Sequence, residues 1–212
     1  MRFLKEVVWA LAVLGTFSSV CEAASPPAGD PGTPEHTTAE QPRRPVDVDL
    51  GVLVGYGSKE FDLSKDTPNP FNVGFGFAGG VTMLDAAYLG ASFVYYVGQN
   101  GPNAINSNTG AAGPWRMSTL TTTLDAGYRF RFQRLRDLTI RPYVGVGLLE
   151  RMVSIPGASA STHNLLVAPS VAVQVPITGS GFVGADLRFG LRLAESDTHA
   201  NISAFAFVGY RL

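Results

Sequence analysis

The most constraining feature of this sequence is a long alternation of apolar residues with polar or small ones, repeated from residue 46 to residue 212. In the first run, 46–57, the even positions from Val48 to Tyr56 are apolar, while Asp47, Asp49 and glycines occupy most of the odd ones. Alternation over ten or more residues predicts a β-strand, because successive side chains of a strand point to opposite faces. None of the runs fits helical periodicity. The sequence therefore predicts an all-β fold.

Eight runs alternate in this way, and each is long enough for the ~9–11 residues that cross a bilayer in a tilted strand. The predicted strands are 46–57, 71–83, 86–98, 116–132, 139–153, 163–176, 181–192 and 199–212. The connections are alternately long (58–70, 99–115 and 154–162) and short (84–85, 133–138 and 177–180), with 193–198 on the long side. Outer-membrane barrels have short periplasmic turns and longer extracellular loops. Residues 46–212 are therefore predicted to form an eight-stranded antiparallel up-and-down transmembrane β-barrel.

The composition of the two strand faces distinguishes a membrane barrel from a soluble one. The second face carries Gly, Ser, Thr, Asp and Arg, and no predicted strand contains a lysine. A soluble barrel would present Lys and Glu to water, whereas Gly and Arg suit a narrow polar interior. The apolar face also carries aromatic residues near the strand ends, where membrane barrels have their interfacial girdles. These are Tyr56, Phe71, Tyr95, Phe130, Phe132 and Tyr210.

The N-terminus has the pattern of an export signal. Arg2 and Lys5 precede an apolar run at 7–17, which is followed by small and polar residues up to Ala23. That order is typical of a secretory signal peptide, and the run is too short for a membrane helix, which needs about 20 residues. We expect residues 1–23 to be a signal peptide cleaved after Ala23, with the mature protein located in the outer membrane of a Gram-negative cell.

Residues 24–45 contain six prolines among Gly, Thr, Glu and Ala, a composition that buries nothing. We expect this segment to be a disordered periplasmic tether. The single cysteine, Cys21, lies in the predicted signal peptide. A lipid-modified Cys21 is the alternative, but lipoprotein signals have Gly, Ala or Ser before the cysteine, and here Val20 precedes it.

At this point the sequence resembles the small outer-membrane barrels typified by the OmpA membrane domain and OmpX. The resemblance covers 46–212 and rests on the eight alternating runs, the rhythm of the connections and the closing strand. The closing strand alternates back from Tyr210 through Val208, Ala206 and Ala204, and ends in Leu212. The resemblance implies that the barrel-assembly machinery recognises this strand, and that the partners are outer-membrane lipid and lipopolysaccharide.

Two patterns point weakly to other chemistry. Gly74, Gly76 and Gly79 match a dinucleotide-binding spacing, but that motif needs a strand-to-helix turn and here lies in continuous alternation. His199, with Asp197 and Ser203 nearby, has the residue types of a hydrolase site, yet polar loop residues are the simpler interpretation. We therefore predict no enzyme activity, no cofactor and no metal. Acidic and basic residues nearly cancel, at 17 against 16, so no nucleic-acid partner is expected.

Charged residues on the inward face are the candidate functional group. They are Asp47, Asp49, Asp125, Arg129, Arg131, Arg141, Asp186, Arg188, Arg192 and Arg211. From their heights above the short-turn end, Arg188 should pair with Asp125 and Asp186. Closure between the first and last strands should bring Asp47 and Asp49 to Arg211. The network either fills the lumen statically or re-pairs as a gate; an eight-stranded barrel is just wide enough for side chains to fill.

Three function classes follow from these observations. The first is a structural or surface-interaction barrel whose long loops meet an extracellular ligand that the sequence does not identify. The second is a low-conductance gated channel, which an excess of inward arginines over aspartates would favour. The third is a lipid-modifying outer-membrane enzyme, which would need a paired Ser and His on one strand face. The first class is preferred.

Overall fold

The computed structural model describes residues 46–61, 68–84, 86–105, 110, 112–135, 137–177, 179–194 and 198–212. The predicted signal peptide and tether lie outside them. The described residues form nine strands and one short 3₁₀ turn at Gln133–Leu135. The strands are β1 (Val46–Gly57), β2 (Val73–Met83), β3 (Ala87–Ile105), β4 (Ala112–Tyr128), β5 (Phe130–Phe132), β6 (Leu138–Ile155), β7 (Ala158–Pro176), β8 (Gly181–Leu193) and β9 (Thr198–Arg211). No helix within these residues is long and apolar enough to cross a membrane.

The strands form a closed antiparallel barrel in which each strand pairs with its neighbours in the chain. β5 continues β4 after an interruption at Arg129, and both pair with β6. Because β4 and β5 together form one barrel strand, the barrel has eight strands. β1 pairs with β9, for example Gly51 opposite Gly209, and this pairing closes the sheet. The predicted eight-stranded up-and-down barrel is confirmed.

The stagger of the strands can be read from their register. From Asp47, the row of paired residues runs through Thr82, Tyr88, Gly127, Tyr143, Ser170, Arg188 and Ser203. It returns to β1 at Gly57, ten residues above its start. Such a stagger in eight strands requires a tilt of about 40° from the barrel axis. Residues far apart along their strands therefore meet at one depth inside the barrel.

The two faces of the barrel wall are inverted relative to a soluble protein. Large apolar side chains face outward, and Leu124 and Phe77 are 74% and 63% exposed. Polar and charged side chains face inward, and Asp125 and Arg188 are 3% and 7% exposed. Exposed apolar surface this extensive needs an apolar medium, because a water-soluble monomer rarely carries it. The outward belt therefore faces membrane lipid, as the alternation predicts.

Two of the three predicted long loops are instead extended hairpins. β3 continues to Ile105 and β4 begins at Ala112, so most of the predicted loop 99–115 is strand. The predicted loop 154–162 is reduced to a turn at Pro156 and Gly157, with Gly157 at a φ of 76°, a conformation that glycine adopts without strain. The alternation disappears there because these residues rise above the membrane belt, where both strand faces meet water.

The two hairpins pair with each other and form a sheet above the barrel rim, which we call the extension. β4 and β6 remain paired up to Arg116 and Ser154, while β2 pairs with β3 only as far as Val97. On the other side, β8 pairs with β7 only from Leu165 onward. Four strands therefore continue past the point at which their outer neighbours stop.

An arginine in the outward belt tests the membrane assignment. Leu187 is 50% exposed and lies midway along β8. Leu187→Arg should reduce the free energy of unfolding in lipid by about 2–4 kcal/mol, the cost of Arg near the bilayer midplane. Urea titration of protein folded in lipid vesicles measures it. Leu84→Arg, in the turn after β2, is the control and should cost much less. Equal stability of both variants and the wild type would contradict a lipid-facing belt.

The charged interior as the candidate functional site

Nine of the ten predicted inward charges line the barrel interior. Arg131 does not: its side chain is 52% exposed and pairs with Asp137 at 3.2 Å. The prediction was wrong for Arg131 because this residue lies on β5, at the rim beside the 133–137 connection, where an inward position opens to solvent. We refer below to this rim, with its short connections, as the turn end and to the opposite rim as the loop end.

The first cluster, at the turn end, is centred on Asp49. Its carboxylate accepts a 2.7 Å hydrogen bond from Arg211 Nε, and Oδ2 lies 3.5 Å from Arg141 Nη1 and 4.0 Å from Arg129 Nη1. Arg129 also donates to Asp47. Barrel closure brings Asp49 and Arg211 into direct register, as expected from the sequence. Asp47 was also expected at Arg211, and that part of the prediction was wrong, because Asp47 pairs with Arg129.

Aromatic and amide groups complete the turn-end cluster. The Arg141 guanidinium lies over the Tyr88 ring, 3.8 Å from its centroid, a distance typical of a cation–π interaction. Arg211 Nη2 donates to Gln174 Oε1 at 3.4 Å, and Arg129 Nη1 donates to Thr82 Oγ1 at 3.1 Å. The arginines are thus held by neutral groups as well as by the two carboxylates.

The second cluster lies at mid-depth, around Arg188. Its Nε and Nη2 donate to Asp186 Oδ2 at 2.9 and 2.8 Å, and the Tyr143 hydroxyl donates to the same carboxylate. Arg188 Nη1 donates to Ser92 Oγ at 2.8 Å. Since Asp186 and Arg188 are two residues apart on one strand, they share a face, and the arginine folds back onto the acid.

Asp125 joins the Arg188 cluster only through hydroxyl groups. Ser92 Oγ and Thr123 Oγ1 are 2.8 Å apart, and Thr123 donates to Asp125 Oδ1 at 2.7 Å. The predicted direct pair between Asp125 and Arg188 was therefore wrong, because the guanidinium donates to Asp186 and Ser92 and the hydroxyl groups lie between it and Asp125. The predicted Asp186 pair is present.

A third cluster, at the loop end, was not predicted. Glu60, 2% exposed, accepts hydrogen bonds from Arg151 Nη2 at 2.6 Å and from Arg192 Nε and Nη2 at 2.9 and 3.3 Å. Glu60 lies on the connection after β1, and sequence reasoning assigned that connection to solvent. Arg192 was predicted to face inward. The predicted inward arginines outnumbered the inward aspartates, and this excess was the one available signal for a missing acidic partner.

The described ends of the β1–β2 connection, 58–61 and 68–72, fold back into the loop end of the barrel. Phe71 is 1% exposed and packs edge-on against Tyr96, with ring centroids 5.3 Å apart. Thr119 Oγ1 donates to the Pro70 carbonyl at 2.9 Å, and Asn69 Nδ2 donates to the Gly57 carbonyl at 2.8 Å. Together with Glu60, these residues cap the interior.

Two small cavities lie between the described residues of the interior. A cavity of about 20 Å³ lies beside Asp49 and Arg141, and another of about 20 Å³ lies beside Tyr96 and Arg188. Each has room for about one water molecule. The interior is a packed charge network in this conformation.

The described residues of the hydrolase and dinucleotide-binding hypotheses lie on strands β9 and β2. Ser203 Oγ accepts hydrogen bonds from Tyr96 Oη and Asn201 Nδ2, both at 3.2 Å. The Asp197 of the hydrolase hypothesis lies outside the described residues. Gly74, Gly76 and Gly79 lie within continuous strand β2. No group of three or more potential metal-binding side chains occurs in the described part of the chain.

Comparison with solved structures places this fold among the small outer-membrane β-barrels. Neisserial surface protein A is 12% identical with a TM-score of 0.55, over 80% of this chain and 97% of that one. Ail, the attachment invasion locus protein of Yersinia pestis, is 15% identical with a TM-score of 0.50, over 79% and 97%. A major outer membrane protein from Thermus thermophilus is 10% identical with a TM-score of 0.54, over 79% and 99%. No protein-family model matches the sequence, and no curated protein matches it significantly.

The Arg188 cluster should couple strongly to Asp186 and weakly to Asp125. Arg188→Ala leaves the Asp186 carboxylate buried without its arginine partner. The free energy of unfolding in detergent should therefore fall by about 3–5 kcal/mol. Adding Asp186→Ala should recover part of the loss, and adding Asp125→Ala should recover much less. Double-mutant cycles on urea unfolding measure both couplings. Equal coupling energies for the two aspartates would contradict the observed geometry.

The Glu60 cluster should stabilise the barrel even though it lies at one end. Glu60→Gln removes the charge that holds Arg151 and Arg192 together, so we expect a loss of about 1–3 kcal/mol in unfolding free energy. Arg131→Gln breaks the exposed pair with Asp137 and is the control, with an expected loss under about 1 kcal/mol. Urea unfolding of both variants tests this, and a Glu60→Gln loss no larger than the control would argue against a stabilising role.

Proposed function

We propose that this protein is an outer-membrane barrel that presents the extension at the cell surface, where it contacts an extracellular ligand. The packed interior is the observation that carries the proposal. Three ion-pair clusters and a folded-back connection fill the lumen, so the polar interior serves to hold the wall and the loop end in one arrangement. Among the described residues, the sheet above the rim is exposed and available for contact.

The extension has the properties of a rigid contact surface. Within it, β6 pairs with β7 up to Ile155 and Ala158, next to the Pro-Gly turn. β4 pairs with β6 up to Arg116 and Ser154, and β3 pairs with β4 up to Ile105 and Ala112 with two register shifts. Residues 157–163 are exposed and are mainly Ser, Ala and Thr. A surface already ordered before binding loses little conformational entropy when a ligand binds, which favours affinity.

The proposed orientation puts the turn end in the periplasm. The signal peptide expected at 1–23, cleaved after Ala23, would leave the N-terminus of the barrel on that side. Because the number of barrel strands is even, the last strand then ends on the same side, where the barrel-assembly machinery would recognise β9. Short periplasmic turns agree with the usual pattern of outer-membrane barrels.

The channel alternative has less support. Ion passage needs a continuous path, and the cavities found among the described residues beside Asp49 and Arg188 each have room for about one water molecule. Opening a path would require the Asp49, Arg188 and Glu60 clusters to separate together.

Surface labelling of intact cells tests the proposal. An epitope tag inserted between Pro156 and Gly157 should bind antibody on whole cells, because that turn lies at the tip of the β6–β7 hairpin of the extension. The same tag between Gly179 and Ser180, in a turn-end connection, is the matched control and should bind only after lysis. The reverse pattern would show that the orientation is inverted, and a tip tag hidden in both conditions would argue against a surface role.

A further inference from the structure

The extension is a four-stranded sheet with β3 at one edge and β7 at the other. β2 pairs with β3 only as far as Val97, and β8 pairs with β7 only from Leu165 onward. Among the residues that the structure describes, 158–164 therefore pair with β6 alone, and we call this segment the open edge. A strand edge presents backbone N–H and C=O groups with which another extended chain can pair.

The β3 edge is protected in the ways by which proteins usually prevent a further strand from adding. Its register with β4 shifts twice between Val97 and Asn103. Pro102 lies in this part of the strand and has no N–H group to donate. The Gln99 amide is already used, because it donates to the Asn69 carbonyl. Bulges and proline make an edge a poor template, so β3 is not a site for strand addition.

The open edge of β7 lacks these protections. β7 keeps one register with β6 from Ala158 to Gln174, without a bulge. Residues 157–164 contain no proline and no Lys, Arg, Asp or Glu. Edge strands that are meant to stay unpaired are usually short, charged or interrupted by proline. A regular, uncharged and exposed edge is therefore suited to pairing with another chain.

The turn before β7 determines which backbone groups point away from β6. Ile155 and Ala158 flank a two-residue turn, so they form the hydrogen-bonded pair that closes the hairpin. Hydrogen-bonded and non-hydrogen-bonded pairs alternate along an antiparallel ladder. Ser159, Ser161 and His163 therefore direct their N–H and C=O groups to the open side, over a length of about 14 Å.

The other end of β7 supports the same assignment. The Ile177 N–H donates to the Gly181 carbonyl, on the β8 side of the strand. Pairing between β7 and β8 is interrupted between Val167 and Ser170, where Pro169 has no N–H to donate. Both Pro169 and Ile177 are an even number of residues from the three residues of the open edge, so their backbone groups point to the same side.

A second copy of this chain in the same membrane does not fit the open edge. Two copies related by a twofold axis along the membrane normal would cross their tilted strands at about 80°, twice the tilt. Paired strands cross at only about 20–25°, so no ladder can form. Pairing β7 of one copy with β3 of another would require the protected edge.

We infer that the open edge binds an extended peptide segment of another protein, which pairs with β7 as an additional strand. The side chains of 158–162 are Ala, Ser and Thr, and all are exposed. They leave room for large β-branched or aromatic side chains on the partner, which strands favour. The main chain supplies affinity in this mode of binding, and alternate side chains supply selectivity. The inference rests on the proposed surface contact and names its site and kind of partner.

Amide hydrogen exchange of the full chain in detergent micelles, followed by NMR, tests the inference. The probe is a short peptide that alternates Thr and Val between two terminal lysines. In the free protein, the Ser159, Ser161 and His163 amides should exchange quickly, whereas those of Ala160 and Thr162 should be protected by β6. Excess peptide should slow the three exposed amides at least about tenfold, as expected for new backbone hydrogen bonds. A polyproline peptide with the same ends lacks the N–H groups and should have no effect.

Two substitutions at one position separate backbone pairing from side-chain contact. Ser161→Pro removes an N–H on the open side and leaves the bonds to β6, so it should weaken peptide binding at least about tenfold. Ser161→Ala keeps the backbone and should bind like the wild type. Fluorescence anisotropy of labelled peptide measures both variants, after each has shown the heat-dependent gel shift of a folded barrel.

Three results would overturn the inference. The first is unchanged exchange of the three amides with the Thr–Val peptide, a measurement that needs no variant to fold. The second is equal weakening by Ser161→Pro and Ser161→Ala, which would indicate side-chain contact. The third is protection that rises with protein concentration in the absence of peptide, which would make a second copy the occupant. Because micelles impose no orientation, these results are independent of the epitope-tag experiment on cells.

Discussion

Barrel closure is the constraint on which the rest of this structure depends. In lipid, each backbone N–H and C=O group must find a partner within the protein, so a sheet can cross only if it has no free edge. Pairing of β1 with β9 satisfies that requirement, with a stagger of ten residues. The closed wall then has one face toward lipid and one toward a narrow interior, which decides the chemistry of nearly every strand position.

The narrow interior explains why its charges form clusters. The tilt brings side chains from distant strand positions to one depth, so Asp49 of β1 meets arginines from β6 and β9 and one between β4 and β5. A buried charge without a partner is costly, and the network matches each inward acid with arginine or hydroxyl donors. Glycine makes the close approaches possible: a Cβ at Gly147 would lie 1.9 Å from the Thr122 carbonyl oxygen.

The fold could be predicted from sequence because lipid and lumen impose opposite chemistry on alternate residues. Where that contrast holds, as at Asp49 and Arg211, even a pairing across the closing seam follows from the alternation. Where it does not hold, prediction failed. The strands above the rim, such as 158–162, meet water on both faces, so their sequence does not alternate and was predicted to be a loop. Glu60 reaches the interior from a connection, and no strand periodicity marks it. Asp125 was placed at the correct depth, but which donor satisfies it depends on rotamers that a sequence does not show.

A filled lumen and an ordered extension are two consequences of the same packing. The Glu60 cluster ties the β1–β2 connection to β6 and β8, and β6 is one of the four strands that continue above the rim. Charge pairing inside the barrel therefore fixes the base from which the extension rises. If the interior were an open water-filled channel, neither the connection nor the base of the extension would have this anchor. In a barrel this narrow, a packed lumen is thus compatible with an ordered surface above the rim. A permanent wide pore is not compatible with a fixed loop end, because the residues that anchor the loop end are the ones that would have to leave the lumen.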